Sequence, residues 1–331
     1  MHERSVLITG VAGLIGSNLA DWIIDNKSDI NIIGIDDLSG GYIENINENI
    51  IFYEKNIVDD DIEFIFKKHK IDIVFHFAAY AAEGLSPFMR VFNYNNNLIA
   101  STRLITYSIK YDIRRFVFTS SMATYGKGNA PFDEKDTLKP IDPYGVAKFA
   151  CEMDLQVAGE QHGLDWCIIK PHNCYGPKQN IWDKYRNVLG IWMNKIMNGE
   201  PISIFGDGKQ KRAFSFINDC TSPLWQAAYL EGASKQIINL GGTKEISIEG
   251  AADILINVTG QGEKVFYKKR HEVKNAWSTW EKSVNILGYE DRTSLYDGLT
   301  VMWEWAKTQP KRIVKSWDNY ELEKGIYDYW K

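Results

Sequence analysis

The chain has 331 residues, of which 44% are hydrophobic and 24% charged; these are the proportions of an ordinary folded protein and exclude a disordered or fibrous chain. At roughly 150 residues per domain it makes one large or two modest domains, long enough to bury a core without staples. Its 38 basic and 43 acidic side chains leave a net charge of -5, so a general electrostatic grip on nucleic acid is not expected.

In chain order, short apolar runs alternate with longer amphipathic ones through the first 170 residues, the pattern of a parallel sheet wound with helices. Ser5 to Thr9 predicts a first strand and Leu14 to Asn26 a first helix. Asn31 to Ile35 and Ile50 to Glu54 predict two more strands, Asp60 to His69 a helix, and Ile73 to Phe77 a fourth strand. The spacing then predicts one helix over Ser86 to Tyr111, a strand over Arg115 to Thr119, a helix over Pro143 to His162 and a strand over Asp165 to Ile169. After Pro171 the rhythm changes. From there to Gly208 the chain reads as loop, with one helix at Asn187 to Met197.

The fold class is therefore α/β: a doubly wound parallel sheet over residues 1–170 and a smaller C-terminal domain over 171–331. The two are expected to interleave, with a segment near 213–243, including a strand at Ile237 to Leu240, returning to the first domain. Lys311 to Lys331 is a polar tail studded with Trp317, Tyr320, Tyr327, Tyr329 and Trp330, expected to pack as a surface clasp. Cys151, Cys167, Cys174 and Cys220 show no metal-ligand spacing and read as small buried hydrophobes of a reducing compartment. Met1 to Arg4 is polar rather than a targeting leader, and no apolar stretch approaches the ~18 residues of a membrane span. No membrane association is expected, and the expected location is cytoplasmic.

Three glycines, Gly10, Gly13 and Gly16, connect the first strand to the first helix. One permits a tight turn, one lets backbone N–H groups approach a pyrophosphate, and one lets helix and strand pack closely. The helix start at Leu14, Ile15 and Gly16 favours an anion. The spacing is GxxGxxG, and by itself it also suits a plain tight turn. Asp36 and Asp37 end the second strand, where a carboxylate accepts hydrogen bonds from an adenosine ribose and repels a 2'-phosphate. That selects NAD over NADP, although a simple turn carboxylate is the plainer reading of Asp36.

Tyr144 and Lys148 open the helix that begins at Pro143, four residues apart and so on one face. A phenol with a pKa of ~10 needs roughly 4 kcal/mol of differential stabilisation to ionise near neutrality. A neighbouring ammonium and an oxidised nicotinamide supply charge of the right sign, which would make Tyr144 a base. Ser121 stands at the end of the preceding strand, where parallel sheets place ligands. It is the choice to share the substrate proton, with Ser120 and Thr124 as fillers of the turn.

These residues resemble the extended short-chain dehydrogenase/reductase family, in its nucleotide-sugar epimerase and dehydratase branch, over essentially the whole length. Gly10/Gly13/Gly16, Asp36, His76-Phe77-Ala78-Ala79, Ser121, Tyr144/Lys148, the run Pro171 to Pro177 and the run Gly206 to Arg212 fall in that family's order. The resemblance implies a Rossmann-type NAD domain, a smaller nucleotide-sugar domain, and four-helix homodimer packing through the helices Ser86 to Tyr111 and Pro143 to His162. It makes Lys148 a ligand of the cofactor ribose, places Ala78 and Ala79 along the dinucleotide, and puts Asn56 and Ile57 near the adenine, Asn56 standing where many relatives carry Asp. Asn97 would touch the sugar. Asn173, Arg212 and, as a second phosphate ligand, Arg270 would hold the diphosphate, while His172 reads as structural. Met122-Ala123 replaces the Asp-Glu pair that sugar 4,6-dehydratases need, which disfavours dehydration. The implied activity is NAD-dependent 4-epimerisation of a UDP-hexose through a 4-keto sugar, with Ala276 leaving room for an N-acetyl group. The alternatives are another NAD-dependent nucleotide-sugar enzyme, acting at a different carbon or as a decarboxylase, dehydratase or reductase, and a non-catalytic dinucleotide sensor. No metal is expected.

Overall fold

Five of the six residues of Arg4–Thr9 (β1) are buried, with apolar Val6, Leu7 and Ile8 covered on both faces, and the strand lies inside a seven-stranded sheet. The computed structural model describes residues 4–317 and 319–330. Met1 to Glu3 of the polar start, and Asp318 and Lys331 of the tail, lie outside the described residues. The other strands are Ile30–Asp36 (β2), Ile51–Glu54 (β3), Ile71–His76 (β4), Arg115–Thr119 (β5), Trp166–Pro171 (β6) and Gln236–Leu240. All pair in parallel, in the order Gln236–Leu240, β6, β5, β4, β1, β2, β3. The order reverses between β1 and β4, so the C-terminal ends of these two strands flank a crevice where such sheets bind ligands.

Helices cover both faces. Leu14–Asn26 (α1) packs Leu19 and Ile23 against Val6 and Ile8. Glu63–Lys68 (α2) and the helices after β4 pack on the opposite face, with Leu7, Val74 and Phe116. The helix expected over Ser86 to Tyr111 starts later and is interrupted: Arg90–Tyr94 (α3), a π-helical stretch Asn95–Ile99, then Ala100–Lys110 (α4). Asn97, within this widened turn, is buried. Pro143–His162 (α5) matches its expected span, with Asp142 accepting the Gly145 N–H at its start and Gly163 in the left-handed region at its end.

Beyond Pro171, Val188–Met197 (α6) joins Trp192 and Met193 to a separate core. Ile217–Tyr229 (α7) returns to the sheet, setting Trp225 6.1 Å from Trp22 of α1. Ile248–Thr259 (α8) and Leu295–Lys307 belong to the separate core through Leu255, Leu299 and Met302. Between them Glu281–Leu287 (α9) makes a second return, burying Leu287 and, just beyond it, Tyr289 in the core shared with α1. No periodicity in the sequence announces this return.

The tail is more than a surface clasp, because its indoles and phenols are too apolar to stay in water. Arg312 lies 3.9 Å over the Tyr42 ring, the Lys315 N–H donates to the Trp182 carbonyl, and Trp317 meets Phe92 edge to face at 4.6 Å. Glu321 accepts the N–H groups of Val91 and Phe92, capping α3 from a distance in sequence. Ile326 and Trp330 end up buried with Tyr80, Leu85 and Phe88.

His172 follows the end of β6, fully enclosed; its Nε2 sits 2.7 Å from Ser278 Oγ, and its Nδ1 has no partner among the described residues. Burial pushes the imidazole down to about 4, so between the ordinary value of 6.5 and 4 the unfolded chain binds a proton that the folded chain refuses. Stability should therefore fall as the pH drops through this window, by up to about 1.4 kcal/mol per pH unit. Thermal melts at pH 4 to 7 should slope less steeply for His172→Asn than for the parent.

Candidate active site

A cleft of about 860 Å³ runs from the end of β1 to the separate core, within the range of small-molecule sites. Gly10, Gly13, Leu14, Ile15 and Gly16 line one end. A Cβ on Gly10 would stand 2.7 Å from the Ala78 backbone nitrogen, and one on Gly16 only 2.3 Å from the Gly10 carbonyl oxygen, so the loop exists in this shape only with glycine there. The first turn of α1 carries no acidic residue, and its free N–H groups meet an anion without competition. Asp36 lines the cleft with its carboxylate oxygens 2.8 Å from Leu38 N and 3.0 Å from Ala12 N. Burial raises its pKa, against the lowering effect of these two N–H groups.

Asn56 differs from expectation. Its side-chain oxygen is spent on the N–H groups of Val58 and Asp59, and its amide donates to Asp37 at 2.8 Å. It braces Asp37 rather than offering an acceptor to an adenine, while Ile57 beside it supplies an apolar wall. Ala78 and Ala79 line the middle of the cleft and are fixed from behind. Buried His76 joins Thr9 Oγ1 at 2.7 Å to Ser101 at 2.9 Å, and Thr9 Oγ1 accepts the Ala78 N–H. A narrow cradle, a helix start and a terminal carboxylate are together the features that suit a dinucleotide.

Ser121, Tyr144 and Lys148 meet at the centre. Ser121 caps a single helical turn by accepting the Ala123 N–H at 3.1 Å. Ser120 and Thr124 are buried fillers: Ser120 donates to Glu152, and Thr124 to the Ser121 carbonyl. Tyr144 is only 5% exposed, and what it faces is the cleft. Lys148 Nζ lies 6.0 Å from its ring centre and donates to the Thr119 carbonyl at 2.8 Å. Burial governs both groups: it pushes the Tyr144 phenol up, aided by Glu83 and opposed by a hydrogen bond with Ser121, and pushes Lys148 down to about 8. Lys148 is still cationic at neutral pH, yet alone it does not offset the desolvation of the phenol. Ionising the phenol near neutrality would take a further positive charge beside the ring.

Arg212, Arg270 and Asn173 line the far end. Glu272 holds both guanidiniums, at 3.5 Å from Arg212 and 3.1 Å from Arg270, so they are set side by side like a clamp. Asn173, in the left-handed region at φ 35°, anchors its amide on the Ala213 carbonyl. Asn97 does not reach the cleft. It is 1% exposed, and its amide is consumed by the Tyr80 backbone and the Asn93 side chain, so it positions the loop after β4. A side recess of about 80 Å³ opens between Ser121, Met122, Pro171 and Ala276.

Several cleft residues carried no signal in the sequence. Glu83 follows the Ala78-Ala79 pair, Asp183 accepts Tyr80 Oη and Arg186 Nε at 3.0 Å each, and Tyr329 and Trp330 of the tail close one wall. Among the described residues no group of His, Cys, Asp or Glu is arranged to hold a metal ion, and no helix is long and apolar enough to cross a membrane.

Comparison with known proteins agrees with this geometry. A UDP-glucose 4-epimerase from Thermotoga maritima, solved with UDP-glucose, is 32% identical and superposes with a TM-score of 0.86 over 92% of this chain and 98% of its own. A UDP-N-acetylglucosamine 4-epimerase from Methanobrevibacter ruminantium is 29% identical, at 0.85 over 94% and 100%. A UDP-glucuronic acid 4-epimerase from Bacillus cereus, solved with UDP-glucuronic acid and NAD, is 27% identical, at 0.84 over 92% and 99%. The profile of the NAD-dependent epimerase/dehydratase family matches residues 6–241, more than half of the sequence, and NAD is the cofactor of this family. On this match the chain belongs to the NAD-dependent epimerase/dehydratase family.

Proposed function

We propose that the protein inverts carbon 4 of a UDP-hexose. The observation that carries this reading is one cleft holding a dinucleotide cradle at one end, the Ser121–Tyr144–Lys148 group at its centre and a paired-arginine clamp at the other. NAD, when bound, supplies the acceptor and donor of hydride at carbon 4. Gly10, Gly13, Gly16, Asp36 and Lys148 hold it. Ser121 would hydrogen-bond the 4-hydroxyl, and Tyr144 would take its proton and return it to the same oxygen once the hexose presents its other face to the cofactor. Arg212, Arg270 and Asn173 grip the diphosphate away from the reacting ring, so binding energy does not lock the hexose in one orientation. Met122 and Ala123 carry no proton-transferring group next to Ser121, which speaks against dehydration. The recess beside Ala276 supports UDP-N-acetylglucosamine as a second substrate.

The test is incubation with UDP-, dTDP- and GDP-sugars without added cofactor, followed by chromatography of the products. Conversion of UDP-glucose to UDP-galactose is expected, and failure to invert any sugar at carbon 4 refutes the activity. Turnover of UDP-glucose without any UDP-N-acetylgalactosamine from UDP-N-acetylglucosamine removes the second substrate.

The same reading includes a homodimer. Val146, Met153 and Val157 form an exposed apolar stripe along α5, with Val91 and Ile99 exposed on the neighbouring helical run. Light scattering should give twice 37.9 kDa; a monomer mass refutes it. Four free cysteines, three of them buried, support a reducing, cytoplasmic setting.

A further inference from the structure

Glu83 is the anomalous residue of the cleft. It leaves the loop after β4 seven positions past His76, its side chain is exposed into the cleft, and it borders both the main cavity and the recess shared with Ser121 and Ala276. Its backbone carbonyl is tied by Ser86 Oγ at 2.9 Å. Its carboxylate, by contrast, meets no hydrogen-bond donor and no ion-pair partner among the described residues. Arg212 and Arg270 are close enough to favour its charged form, while burial and Glu272 work against it. It also acts on Tyr144 and Asp142 from the other side. A hexose bridging the arginine clamp and the Ser121–Tyr144 pair must therefore pass along Glu83.

The guanidiniums near that path are already matched with carboxylates. Arg212 and Arg270 share Glu272, and Arg186 is paired with Asp183. When a diphosphate occupies the two clamp guanidiniums, no arginine fork is left over for another anion on the sugar.

We propose that Glu83 is a specificity-determining residue that accepts a hydrogen bond from a sugar hydroxyl and excludes a sugar bearing a carboxylate, so that the substrate class is neutral UDP-hexoses and not UDP-uronates. The inference rests on the nucleotide-sugar reading above and narrows it. A carboxylate acceptor strengthens a hydroxyl hydrogen bond, whereas two like charges held close together in the cleft repel.

The experiment measures dissociation constants of UDP, UDP-glucose and UDP-glucuronate by calorimetry on the NAD-loaded protein, in the parent and in Glu83→Gln, both carrying Tyr144→Phe to prevent turnover. The parent should bind UDP-glucose about 100-fold more tightly than UDP-glucuronate, the difference expected for a close uncompensated like-charge pair. Glu83→Gln, of the same shape without the charge, should shrink that ratio to below about 10-fold, chiefly by strengthening UDP-glucuronate binding. UDP, lacking a sugar, should bind both proteins alike, which shows that clamp and fold are intact. An unchanged ratio, or a parent that prefers UDP-glucuronate, overturns the proposal. Absence of 4-epimerisation in the separate turnover assay would refute the activity, while the binding ratio still decides the role of Glu83.

Discussion

Tyr144→Phe lowers turnover about 10³-fold with its NAD content unchanged, the loss expected when a positioned acid–base group is removed. The substitution keeps the ring, 5% exposed in its packing, and deletes only the oxygen facing Ser121. The cradle, Asp36 and Lys148 remain to hold the cofactor. Burial keeps the phenol protonated, so its proposed function as a base depends on positive charge that a bound cofactor would bring. Product chromatography gives the rate, and nucleotide released on denaturation gives the NAD content. Retention of more than about a tenth of the rate would mean that Tyr144 is not the group that moves the proton.

Lys170→Met destabilises the protein by about 3–5 kcal/mol at pH 8, the range for removing one member of a buried ion pair. Lys170 and Glu152 are each 1% exposed, 3.2 Å apart, behind the catalytic turn. Lys170 lies 4.3 Å over the Tyr125 ring, and Glu152 accepts the Ser120 hydroxyl. Without the ammonium, Glu152 is a buried carboxylate with only the Ser120 and Thr124 hydroxyls for company. Burial already raises its pKa and Lys170 is the largest opposing influence. In the variant the folded form holds a proton on Glu152 that the unfolded form has released, so stability falls with rising pH. The deficit should be larger at pH 8 than at pH 5, read from denaturant melts at both; a loss independent of pH would locate the damage in packing alone.

The central sheet was legible because its inner strands are buried on both faces and read as apolar runs, and α1 and α5 because their apolar residues recur at three- and four-residue spacing. The glycines and the Tyr144–Lys148 pair could be picked out because each has a fixed local spacing, and the structure brings them with Asp36 and Ser121 to one cleft. Asn97 lies off the cleft because its amide is taken up by the Tyr80 backbone and the Asn93 side chain, contacts that no local pattern announces. Asn56 looked like a free acceptor because nothing in the sequence shows that Val58 and Asp59 fold back onto it. Glu83, Glu272 and the Lys170–Glu152 pair depend on contacts between distant segments and leave no period to detect. The tail could be recognised as too aromatic for a linker, yet where it docks is decided by Tyr80, Phe88 and Phe92, more than 200 residues upstream.

That docking gives the protein an optical reporter of its own. Trp330 forms part of the cleft wall, while most of the 11 tryptophans lie elsewhere. Its ultraviolet emission overlaps the absorption band of a reduced nicotinamide, so energy passes from the indole to the dinucleotide only while hydride resides on the ring. The difference in fluorescence between the parent and Trp330→Phe thus follows the redox state of a single site in real time, without any added dye.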